Sequence, residues 1–218
     1  MPRCPTAIFA TLCLTLVMAS AAATAADNYT VEASRSDIHW RIYRAGPLAQ
    51  KGHSHVISAR GFSGSVQVNS GSPSAFQLVI PVAALEVDNP ALRRRYGAEF
   101  ATDLSAEDRA ATRANMLGPR LLDGARHPHI RIAGSTTVNP PTDSREILLP
   151  VTLSIAGREV RLRIPATISI TEREVRATGR ISLSHQQLGL RPFSAAMGAL
   201  RVADRIDFSF DIRATRGR

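Results

Sequence analysis

Three histidines have the residue type and spacing that could do chemistry in this chain. His53 and His55 stand one residue apart in "KGHSHVISARGFSG", residues 51–64, and His185 closes the run "VRATGRISLSH". Residues i and i+2 of a strand point to the same face, so two imidazoles there and a third from another strand would make a zinc triad. The same trio could instead hydrogen-bond the polar end of an amphiphile, with Tyr43 or Arg44 beside it. A third reading makes them hydrogen-bonded rim residues with a structural role. His39 alternates with Trp40, and His127 and His129 alternate with Ile130 and Ile132, so these three are expected to face solvent.

Other chemistries lack their motifs. No G-x-S-x-G elbow, H-E-x-x-H pair or glycine-rich phosphate loop occurs. The acidic residues fall on the polar faces of strands or in a helical insertion, which leaves no inward carboxylate pair for acid–base work. The expectation is a binding protein, not an enzyme, with no cofactor besides a bound lipid.

The elements that must position the histidines are strands. In "REILLPVTLSI" the positions Ile147, Leu149, Val151, Leu153 and Ile155 are apolar, and after "AGRE" the run "VRLRIPATISI" puts Val160, Leu162, Ile164, Ala166, Ile168 and Ile170 on one face. "VRATGRISLSH" and "DRIDFSFDIRA" repeat the pattern, and "NYTVEA", "DIHWRIYRA", "HVISARGFSGSVQVN" and "FQLVIPVAALEV" read as strands in the first half. Consecutive period-two strands joined by short turns pair antiparallel, each with one apolar and one wet face. Pro81 and Pro165 sit on the wet parity, where a proline needs an edge or a bulge. Only "SAEDRAATRANML", 105–117, reads as helix, with Ser105 and Asp108 as a capping box and Gly118-Pro119 as the stop. About eight strands with one helical insertion form a single all-β domain, a sandwich or a barrel.

The first 26 residues read as a secretory leader: Arg3, an apolar run from Ala7 to Ala19, and Ala23-Thr24-Ala25 at the cleavage site. Cys4 and Cys13 both fall inside it, so residues 27–218 carry no thiol for disulfides, thiolate metal sites or catalysis. A periplasmic or secreted protein with no stable membrane span is expected. The net charge is +9, almost wholly arginine, with Lys51 the single lysine. Such a charge suits anionic lipid headgroups or acidic ligands, and it equally serves simply to keep the surface solvated. Nucleic acid is not expected, because no basic run is interleaved with aromatics. The pattern leaves oligomeric state open.

A barrel of this size holds either its own side chains or one small ligand. Ala166, Ala177 and Gly179 fall on the inward parity of neighbouring strands. They either leave room or accommodate Trp40 or a phenylalanine from across the core. If they leave room, a tail of about ten carbons or more binds usefully, since each buried CH₂ contributes roughly 0.8 kcal/mol against an association cost of about 4–15 kcal/mol.

The order and spacing of several segments resemble the bacterial YceI-like family. They are "SDIHWRIYRAG", "GFSGSVQV", "VAALEVDN", "NMLGPRLLDGARHPHIRIAG", "LPVTLSIAGREVRLRIPATI" and "VADRIDFSFDI". The resemblance covers nearly all of 27–218 and implies an antiparallel, lipocalin-like extended β-barrel that encloses a polyisoprenoid, an isoprenoid quinone or a similar long-chain amphiphile, without catalysis. It implies a lining that includes Trp40, Ile42, Phe62, Leu78, Ile80, Ile164, Ile181 and Phe208, with the insertion, about 99–122, near the cavity mouth. Two other readings stay open: a metal-dependent protein using His53, His55 and His185, and an interaction or stress-accessory protein with a filled core.

Overall fold

The computed structural model describes residues 26–69, 72–135 and 145–217. The expected leader, with Cys4 and Cys13, lies outside the described residues apart from Ala26. Alternation becomes twelve strands: β1 (Asp27–Val31), β2 (Asp37–Ala45), β3 (His55–Ala59), β4 (Ser63–Asn69), β5 (Ser72–Pro81), β6 (Leu85–Val87), β7 (His129–Ser135), β8 (Arg145–Ile155), β9 (Arg158–Ile170), β10 (Glu174–Ser184), β11 (Ser194–Ala195) and β12 (Leu200–Arg216). Eight of them, β1-β4-β5-β7-β8-β9-β10-β12, close into an antiparallel barrel through the pairing of β1 with β12. The long strand β12 also pairs with β2, and β3 and β6 continue outward from it. This is the all-β barrel that the alternation and the family resemblance anticipate.

The insertion between β6 and β7 holds two helices, α1 (Pro90–Arg93) and α2 (Ala106–Leu117), where the sequence suggests one. Helix α1 is a single turn started by Pro90 at its first position and capped by the Asn89 side chain, which accepts from the amides of Ala91 and Leu92. Helix α2 carries the expected capping box between Ser105 and Asp108. No helix among the described residues is long and apolar enough to cross a membrane.

The barrel wall parts along both edges of the β8–β9 hairpin. The β7–β8 ladder stops at Ala133–Thr152, and the β9–β10 ladder stops at Thr167–Thr178. Prolines stand just beyond both stops, Pro150 on β8 and Pro165 on β9. Their carbonyls approach Gly134 and Gly179 so closely that a Cβ there would lie 2.6 Å and 2.4 Å from them. These carbonyls face the neighbouring strand, so the ring nitrogen on the same side is where the ladder lacks its N–H. Aromatic rings then cover both glycines, Phe76 over Gly134 and Phe210 over Gly179. Gly179→Ala is expected to destabilise the fold by about 1–3 kcal/mol, since the Pro165 backbone cannot yield as a side chain can. A urea melt of the variant checks this, and an unchanged midpoint would contradict it.

Candidate functional site: an uncharged cavity inside the barrel

The inward faces of the strands line a partly open cavity of about 220 Å³. A 150 Å³ void lined by Leu, Ile and Phe already admits benzene. Of the eight lining residues inferred from sequence, Trp40, Ile42, Leu78, Ile80, Ile164, Ile181 and Phe208 line the cavity. Trp40 and Phe208 are cross-strand partners with ring centroids 5.8 Å apart, and they form an aromatic floor. Phe62 is the exception. It is buried in the core next to the β3–β4 corner and does not reach the cavity wall.

The small inward residues divide between the two roles open to them. Ala177 lines the cavity and leaves room, whereas Gly179 accommodates the Phe210 ring and Ala166 is buried away from the void. The insertion contributes Met116, Leu121 and Leu122 to the wall, and the turn after β10 contributes Leu188 and Leu190. These leucines and the methionine sit outside the strand pattern, so period-two reading passes over them.

Among the described residues the lining contains no Asp, Glu, Lys or Arg. The polar residues that border it are Ser65, Gln77, Ser209 and His185. The first three alternate with the inward Val66, Phe76 and Phe208, and Gln77 bonds Ser65 on the exposed outer face, which leaves His185 as the polar side chain at the wall. His185 is 3% exposed and its Nδ1 donates to the Asp204 carbonyl at 2.9 Å, which fixes the tautomer and leaves Nε2 as an acceptor. Desolvation pushes its pKa below the usual imidazole value, and the Asp204 backbone contact opposes this only in part. The cavity therefore presents a neutral imidazole and no fixed charge. Because the unfolded chain binds that proton more readily, stability is expected to fall as pH drops below about 6.5 toward the depressed folded value. Denaturation midpoints measured between pH 7 and pH 5 should decline in the native chain and flatten in His185→Gln; equal slopes would contradict this.

The other histidines do not join His185. His53 is exposed in the loop before β3. His55 turns to the fully buried Asp88, its Nδ1 donating to Oδ2 at 2.6 Å. No group of three metal-ligating side chains forms among the described residues, which corrects the zinc triad of His53, His55 and His185. Tyr43 also points away from the cavity: its hydroxyl donates to Asp207 Oδ2 at 2.5 Å, and its ring meets Phe100 edge-on at 5.9 Å. Arg44 is exposed and donates to the Gly52 carbonyl. None of these four reaches the cavity lining as a headgroup contact.

His39 gives a second correction. It is 4% exposed, with Nδ1 2.8 Å from Asp37 Oδ2 and Nε2 on the Tyr96 hydroxyl. The first half of the insertion lies on the outer face of β2 and β3. There Leu92, Phe100, Tyr96 and Tyr43 pack around Val56, away from the cavity. Parity places His39 on the outer face correctly, but that face is covered.

The centre of this covered face is ionic. Asp88, 0% exposed and with φ 55°, accepts from the Val56 amide at 2.9 Å and from Arg93 Nη1 at 2.5 Å, as well as from His55. Arg93 also donates to the carbonyls of Ser54 and Thr102, which ties the insertion to β3. Burial pushes the Asp88 carboxyl up, but the bonds from His55, Val56 and Arg93 outweigh it and hold the pKa below its ordinary value. Asp207 forms a companion hub for Arg41, Tyr43, Ser182 and Arg205. Burial opposes its ionisation, yet the bonds from Arg205, Ser182 and Tyr43 bring its pKa down to about 2.

The sequence model of the family described as YceI-like domain matches residues 29–214. Among solved structures, BcnA of Burkholderia cenocepacia superposes with a TM-score of 0.59 at 14% identity, covering 85% of this chain and 99% of that one. A polyisoprenoid-binding domain from Saccharophagus degradans, implicated in plant cell wall breakdown, gives 0.59 at 10% identity, covering 87% and 98%. The Campylobacter jejuni YceI protein gives 0.52 at 10% identity, covering 74% and 85%. No curated protein matches the chain.

Proposed function

This chain belongs to the YceI-like family, and from that premise we propose that its barrel holds one long-chain neutral lipid, an isoprenoid or isoprenoid quinone, without catalysing a reaction on it. The observation that carries the reading is the barrel cavity whose lining bears no charge. Taking a carboxylate or a phosphate into such a space would cost several kcal/mol with no counter-ion to offset it, whereas a hydrocarbon tail gains roughly 0.8 kcal/mol per buried CH₂. On the scale at which a 150 Å³ void admits the six carbons of benzene, 220 Å³ gives room for about nine non-hydrogen atoms, close to two isoprene units, so a longer tail extends through the cavity's opening. His185 Nε2, left as an acceptor by the Asp204 contact, suits the hydroxyl of a prenyl alcohol or of a reduced quinone without demanding charge. The structural neighbour whose description names a polyisoprenoid ligand supports the same class. The leader-like residues 1–26 support export to the periplasm as the setting.

Native mass spectrometry of the protein purified by mild extraction tests the reading. A stoichiometric adduct that organic solvent releases as a prenyl lipid is the expected result. Protein that carries no lipid and binds neither farnesol nor a prenylated quinone when titrated would end it.

A further inference from the structure

Exposed large apolar side chains are few among the described residues: Leu48, Leu148 and Met197. Leu48 and Met197 belong to two loops held against each other. Leu48 lies in the turn after β2 and Met197 in the turn before β12, and the Leu48 amide donates to the Ala199 carbonyl at 2.9 Å. Beneath them Ala45 pairs with Arg201 in the sheet. Met197 is held fully outward at 108% exposure by three successive left-handed residues, Ala196 at φ 49°, Met197 at 52° and Gly198 at 90°. The first two are conformations that L-residues adopt at a cost. Leu48, at 45%, stands out from the neighbouring loop.

The two loops themselves carry charge of one sign. Segments 44–52 and 191–202, "RAGPLAQKG" and "RPFSAAMGALRV", contain Arg44, Lys51, Arg191 and Arg201 and no acidic residue. All four cations are exposed and none makes an ion pair among the described residues. Two exposed acids lie near by, Asp204 on β12 and Glu99 on the insertion, and each is already engaged, by the Gln186 amide and the Ser54 hydroxyl. Protruding apolar side chains with exposed cations in the same loops match the profile of a bilayer interface. There the hydrocarbon enters the acyl boundary, and Lys and Arg reach back to headgroup phosphates. A protein surface of comparable size would need a complementary acidic rim as well as an apolar socket.

We propose that the tip formed by Leu48 and Met197 seats this protein on an anionic phospholipid bilayer, with Arg44, Lys51, Arg191 and Arg201 contacting the phosphates. Arg191 directly follows Leu190, which lines the cavity, so the docked edge adjoins the barrel wall. The docking surface is independent of what the cavity holds.

Sedimentation with vesicles of phosphatidylcholine, with and without phosphatidylglycerol, tests it. The purified protein is expected to bind the anionic vesicles and to release them at high salt. The double variant L48S and M197S is expected to bind about tenfold more weakly or worse, with an unchanged melting temperature, since both side chains already face water. Equal binding by the variant would reduce the interaction to net charge and overturn the proposal. Absence of vesicle binding would also overturn it and leave the tip to a protein partner. As a second readout, a fluorophore on Met197→Cys should shift to the blue on anionic vesicles, and an unshifted spectrum would count against insertion. Cavity lipid, measured separately by native mass spectrometry, should be retained in the double serine variant, so failure of docking and failure of lipid binding are told apart.

Discussion

Replacing Ala177 by tryptophan is expected to leave the barrel folded and to remove most of its capacity for a lipid tail. Ala177 lies on β10 between Ile168 of β9 and Ile212 of β12, and all three line the cavity. An indole placed there projects into a space of only about 220 Å³. Excluding four or five carbons of a ligand at roughly 0.8 kcal/mol each forfeits about 3–4 kcal/mol, or two to three orders of magnitude in affinity. The fold loses little, because the new side chain fills a void instead of displacing packed neighbours, so the melting temperature should hold or rise. Titration with farnesol, read by tryptophan fluorescence or native mass spectrometry, checks both halves. Undiminished binding with a raised melting temperature would place the ligand outside the barrel.

The second large effect concerns the covered outer face. Asp88→Ala leaves the 4%-exposed Arg93 without its carboxylate and the Val56 amide without an acceptor. Removing one partner of a buried ion pair typically costs about 3–5 kcal/mol. Asp88→Asn, which keeps an acceptor and tolerates the left-handed backbone, should recover part of that loss. The pH dependence has a definite sign. Asp88 ionises more easily folded than unfolded, so its contribution is complete above the ordinary carboxylate value of 3.8 and drains away as pH falls through the depressed folded value. Denaturant titrations of native chain and alanine variant should therefore be far apart at pH 7 and converge below pH 3.8. A gap that stays constant down to pH 2 would show that shape, and not charge, is what the site contributes. Asp207 adds to the same acid window, which for it runs from 3.8 down to about 2.

Period-two alternation carries most of the barrel into view, because a strand with one buried face repeats an apolar residue at every second position. The polar-parity Pro165 was legible as a break, and it does stand where a ladder stops. His185 was legible too. The parity of Ile181 and Leu183 continues one residue past β10 and delivers the ring to the cavity wall. The same parity failed for His55, which shares a face with Ile57 but sits at the first position of β3. There the side chain is free to turn to Asp88. For His39 parity named the correct face but could not say what covers it. The cover comes from Tyr96 and Phe100, more than fifty residues away and in irregular turns without periodicity. Leu188 and Leu190 were invisible for a related reason: a turn that folds back over a cavity announces itself only through the space it closes.

The two seams beside the β8–β9 hairpin have a bearing on self-association. A gap in a ladder exposes main-chain donors and acceptors in mid-wall, and such rows recruit strands from other molecules. Here the first residue past each stop-point pair that should donate into the gap is an imino acid, and Arg161 and Arg163 stand exposed along the hairpin between them. A docking strand would find acceptors without donors and meet like charge from a second copy of itself. Openings that let the wall part are thereby kept from becoming a template for fibres.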